Sequence, residues 1–122
     1  MSQGFRDLEV WRESLGWVKR VYRLAATFPD QERFGLVGQI QRAAVSVPAN
    51  VAEGAARDHT KEFLRYLSIA RGSLAEVETM ILLAIELEYV MEDQCKDLIA
   101  KTHEIGRMLT GLQRAMKQKL ST

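Results

Sequence analysis

Apolar residues recur at alternating intervals of three and four along almost the whole chain, and only short breaks interrupt them. That spacing puts them on one face of an α-helix, so the chain buries them by packing helix against helix. The first segment runs from about Asp7 to Ala26, with Leu8, Trp11, Leu15, Val18, Tyr22 and Ala25 in line. Pro29 ends it, and Asp30 is a candidate cap for the next. The second segment, about 31–53, carries Leu36, Ile40, Ala43, Val47 and Val51 on a face of small residues. Gly54 reads as its stop, and Pro48 predicts a bend near residues 44–48. Thr60 is the expected cap of the third, about 60–88, with Phe63, Leu67, Ala70, Leu74, Val77, Ile81 and Glu88 as its buried series. The fourth, about 93–118, continues from Met91 through Cys95, Leu98, Thr102, Ile105, Leu109, Leu112 and Met116. Breaks of about five residues turn each helix antiparallel to the one before. The expected fold is all-α, an antiparallel up-down-up-down four-helix bundle forming a single domain over residues 1–122.

The first helix carries a second apolar line, Val10, Trp17, Val21, Leu24 and Phe28, about 100° around from the first. Together the lines cover roughly 200°, more than a surface helix normally buries. Either both flank one wide core or one faces a neighbouring subunit. The second line, through Val10, Trp17, Val21 and Leu24, is taken as the candidate subunit interface.

A chain of 122 residues buries enough surface to fold without staples. Cys95 is its only cysteine and cannot form an internal disulfide, which points to a reducing, cytoplasmic home. The longest stretch free of charge is the ten residues from Ala43 to Ala52, far short of the roughly 20 a membrane span needs. No secretory signal precedes the first amphipathic segment, so the mature protein is expected to begin near Met1. With 17 basic and 16 acidic residues the net charge is +1, which excludes a globally basic binder but leaves local patches open.

Di-iron bundles need Glu-x-x-His pairs, but Ala56 and Ala100 stand where those glutamates would precede His59 and His103. Cys95 has no neighbouring histidine and reads as a small buried residue. Gly35, Gly38 and Gly72 do not make a phosphate loop. No catalytic, cofactor-binding or metal-ligating residue is expected. A polar line on the second helix, Gln39, Arg42, Ser46, Asn50 and Glu53, reads in three ways: solvated surface, a network with Ser73, Glu76 or Glu78 of the third helix, or a ligand strip. Charge is also uneven. Asp30, Glu32, Glu86, Glu88, Glu92 and Asp93 gather at one end of such a bundle, and basic residues at the other. Cations in a last helical turn complement the helix dipole, but repeated around an oligomer they suit RNA or DNA. Arg57, Lys61, Arg107, Arg114, Lys117 and Lys119 are the candidate nucleic-acid-binding residues.

Four motifs carry a family likeness: Phe5-x-x-Leu8-x-Val10-Trp11; Glu32-x-Phe34-Gly35-Leu36; Gln39-x-x-Arg42-Ala43-Ala44-Val45-Ser46-Val47-Pro48-x-Asn50-Val51-Ala52-Glu53-Gly54; and Ala70-Arg71-Gly72-Ser73-Leu74-x-Glu76. Across nearly its whole length the chain resembles the bacterial four-helix-bundle family of 23S rRNA intervening-sequence proteins. The resemblance implies a small cytosolic protein that forms a ring-like homopentamer and has no established enzymatic activity. That family is named for reading frames inside insertions in ribosomal RNA genes. It is similar to an accessory protein of diversity-generating retroelements, a pentamer that binds reverse transcriptase and nucleic acid. The implied partners are thus further copies of the chain, RNA or DNA, or a nucleic-acid enzyme such as a reverse transcriptase. Gln39, Arg42, Ser46, Asn50, Glu53, Ser73 and Glu76 recur in the family pattern, which implies a shared structural network of polar residues.

Overall fold

Where the apolar spacing lapses, the chain turns. The computed structural model describes residues 4–121. Among them α-helices run over Glu9–Ala25 (α1), Leu36–Ala55 (α2), Thr60–Glu86 (α3) and Glu92–Ser121 (α4), with no strand. Short 3-10 turns at Gly4–Asp7 and Asp30–Glu32 precede α1 and α2. Each helix packs on two neighbours, in the cyclic order α1, α2, α3, α4, and among the described residues the backbones of the diagonal pairs do not approach closely. Bonds between helices give the directions. Ser46 meets Ser73 while Glu53 meets Tyr66, and Ser68 meets Gln113 while Glu78 meets His103. Within each pair of helices one number rises as the other falls, so α2, α3 and α4 alternate in direction.

The innermost layer is mostly aliphatic. Trp17 and Val21 of α1, Ile40, Val47 and Val51 of α2, Leu67, Val77 and Ile81 of α3, and Cys95, Ile105 and Leu109 of α4 have no exposed surface. This reverses the expectation for α1. Val10, Trp17, Val21 and Leu24, taken as the subunit interface, lie with Phe28 inside the chain's own core, whereas Leu15 and Tyr22 of the other line are exposed. Periodicity alone ranks two lines 100° apart equally. Trp17 breaks the tie, because its indole N–H donates to Thr102 Oγ1 at 2.9 Å and is thereby satisfied away from water. The Thr102 hydroxyl in turn donates to the Leu98 carbonyl at 2.8 Å.

Helix ends differ from expectation for local reasons. α2 begins at Leu36, not near residue 31, because Asp30–Glu32 closes a separate 3-10 turn after Pro29. Asp30 does not cap it. The Glu32 carboxylate does, accepting from the Leu36 amide at 3.1 Å and, on its other oxygen, from the Tyr89 hydroxyl at 2.6 Å. His59, not Thr60, holds the cap position of α3, and no side-chain bond closes it. α2 runs unbroken through Pro48. It also continues past Gly54, whose role is packing: a Cβ there would lie 2.7 Å from Tyr66 Cβ and 2.9 Å from the Phe63 ring. Glu88, expected in the buried series, is exposed and adopts φ 61° just beyond α3. Its amide donates to Ile85 and that of Tyr89 to Ala84, both at 2.9 Å, the paired bonds of a left-handed helix stop. Met91, placed in the buried series of the fourth helix, is 72% exposed and precedes α4. No helix among the described residues is long and apolar enough to cross a membrane.

Candidate functional site

α3 and α4 are the longest helices, and their outward seam opens into a groove of about 640 Å³. Arg71, Ala75 and Glu78 form one wall. His103, Arg107, Thr110 and Arg114 follow at intervals of four, three and four along the other, which puts them on one face of α4. Gly106 faces α3 at the base of the seam, and Gly111 is exposed at its outer rim. A Cβ on Gly106 would touch Leu74 at 3.4 Å, and one on Gly111 would meet nothing within 4 Å.

Bonds at the two ends of the groove set its charge. Arg71 donates from Nη1 to Gln113 Oε1 at 3.0 Å, and Gln113, itself buried, donates to Ser68 Oγ at 3.1 Å. At the other end Glu78 is bonded to His103 Nε2 at 2.8 Å. None of Arg71, Arg107 and Arg114 has a carboxylate partner among the described residues. Three guanidiniums therefore share the groove with a single carboxylate, and that carboxylate already has a partner.

The six cations expected to bind nucleic acid are divided by the fold. Arg107 and Arg114 lie in the groove, and Lys117 is exposed beyond it. Arg57 is engaged elsewhere: it donates to the Tyr66 hydroxyl at 2.9 Å and to Glu53 at 3.2 Å, and sits 5.3 Å from the Tyr66 ring. Tyr66 first, and then Glu53, raise its pKa. Lys61 lies beside Leu120, while Lys119 shares the end of the bundle with Arg57, Phe63 and Met116. Arg71 and Gln113 were not foreseen. Arg71 stood in plain view within the Ala70–Glu76 motif, and Gln113 sits four residues after Leu109, a polar residue at an apolar-series position.

The polar line of α2 splits in three. Ser73 donates to Ser46 Oγ at 2.8 Å, and Asn50 donates to the Ser46 carbonyl at 2.7 Å and to its hydroxyl at 2.8 Å, tying α2 to α3. Glu53 belongs to the Arg57–Tyr66 cluster. Gln39, Arg42 and Glu76 line a shallow cleft beside Ser46 and Ser73. Burial raises the Cys95 thiol above its ordinary pKa. Among the described residues no group of three or more His, Cys, Asp or Glu is placed to hold a metal.

Four helices in cyclic contact, a small-residue α2 seam and a basic trough between α3 and α4 define a small helical-bundle protein. The chain belongs to the 23S rRNA-intervening sequence protein family, whose model matches residues 6–111. Among solved structures it is similar to a protein of unknown function from the S23 ribosomal protein family of Bacteroides thetaiotaomicron VPI-5482. The TM-score is 0.79 at 25% identity, over 86% of this chain and 95% of that one. No protein of curated function matches the sequence.

Proposed function

We propose that this chain is a non-catalytic bundle that binds the phosphate backbone of nucleic acid in the α3–α4 groove, in the bacterial cytoplasm, as one subunit of a homopentameric ring. The observation that carries the reading is the trio Arg71, Arg107 and Arg114, gathered from two helices and left without carboxylate partners among the described residues. All three are exposed, and phosphate oxygens are the natural acceptors for guanidiniums gathered in one groove. Glu78 and His103 are bonded to each other, which suits a structural pair better than a base awaiting substrate. Repeating the groove around a ring multiplies its field.

Anisotropy of labelled RNA across a salt series tests this. Affinity should fall with a log–log slope of about 0.9 per duplex phosphate contacted. Reversing Arg107 and Arg114 together (Arg107→Glu, Arg114→Glu) should weaken binding by about tenfold on every sequence alike. Absent or salt-insensitive binding would overturn the proposal.

A second reading, a ring whose partner is a protein such as a nucleic-acid enzyme, is favoured by exposed apolar residues outside the groove. Tyr22 and Val45 line one cleft between α1 and α2, and Phe34 is 90% exposed just before α2. On that reading charge reversal in the groove leaves partner capture intact.

A further inference from the structure

The same groove restricts the form of nucleic acid it accepts. We infer, resting on the function proposed above, that it takes the regular backbone of a double helix, without sequence preference, and not an unstacked single strand.

Proteins that hold single strands supply aromatic faces on which successive bases stack. The groove has no Phe, Tyr or Trp in its lining, and its one flat ring, the His103 imidazole, is held at one end by Glu78. Tyr22 and Phe34, the exposed aromatics, lie on α1 and just before α2, outside the lining. Bases entering this groove would find no free aromatic platform on which to stack.

The cations, by contrast, project from fixed positions on two rigid helices, and one of them is held. Arg107 and Arg114 are two helical turns apart on one face of α4, a rise of roughly 10.5 Å. Arg71 stands on the opposite wall, held by a glutamine that is buried and anchored in turn to Ser68. Cations at such set backbone spacings match phosphates that are themselves fixed in space, as in a duplex. A flexible strand would have to be ordered on binding.

The experiment uses the full chain with mixed-sequence RNA and DNA duplexes and with each of their separate strands. Duplexes should bind at least about tenfold more tightly than either strand, and duplexes of unrelated sequence should agree within about threefold. Single strands bound as tightly as duplexes, or duplexes whose affinity differs more than about tenfold with sequence, would overturn the inference. Either result, with the salt slope intact, leaves backbone binding by this protein standing. Failure of every ligand at low salt overturns both.

Discussion

Thr102 is the residue on which the buried indole depends. Trp17 has no exposed surface, and its N–H has the Thr102 hydroxyl as its partner, a bond that joins α1 to α4 through the core. Valine at position 102 would keep the shape and remove the acceptor, leaving a buried donor unpaired. Thr102→Val should therefore destabilise the fold by about 1–3 kcal/mol, measured as a lower denaturant midpoint with unchanged slope. An unchanged midpoint would show that the bond contributes nothing beyond packing. Thr102 was legible as a member of the buried series of α4, but its partner was not. Nothing in a one-dimensional pattern sets a tryptophan on the first helix against a threonine 85 residues later.

At the scale of the element, Glu32 joins three segments. From the 3-10 turn it caps α2 through Leu36 and accepts from Tyr89 in the turn between α3 and α4. The Tyr89 hydroxyl first, and the Leu36 amide second, hold its carboxyl below the usual pKa of 4.5. A carboxyl whose folded pKa lies below its unfolded one stabilises the fold in its ionised form. That contribution is complete above 4.5 and fades as pH falls through the lower folded value. Glu32→Gln should accordingly lower the melting temperature at neutral pH and shrink the difference from wild type in acid, as read from thermal scans across that range. A gap that stays constant with pH would rule out the carboxylate as its source. The capping role escaped the sequence because Glu32 reaches forward four residues across Gly35, a geometry that standard cap spacing does not describe.

For the whole molecule, the question is what covers the apolar surface that the bundle leaves outside. Single exposed apolar residues are ordinary, but Tyr22 and Val45 share one cleft and Leu15 continues the line along α1. If copies assemble through this face, light scattering of the purified protein should give a mass near five times 13.9 kDa. Tyr22→Ser with Val45→Ser should then shift the mass toward that of one chain without loss of helical signal. A wild-type protein that runs as a monomer would remove the ring and leave one groove per particle.

The sequence by itself determined that the chain is helical, where its four helices lie to within a few residues, and that consecutive helices run antiparallel. Spacing of apolar side chains and short breaks are local properties, and each helix displays its own. Family membership was legible for the same reason, since the run from Gln39 to Gly54 is contiguous. Tertiary structure alone decided which of the two apolar lines on α1 turns inward, because that choice depends on what α4 offers Trp17. It alone decided the groove as well. Arg107 and Arg114 were visible as cations on one helix, but Arg71, 36 residues before Arg107 in the chain, joins them only when α3 and α4 pair, and Arg57 leaves the set only when α3 brings Tyr66 against it. A charge's neighbours along the chain set its face on the helix, and its neighbours in space set whether it is free to bind.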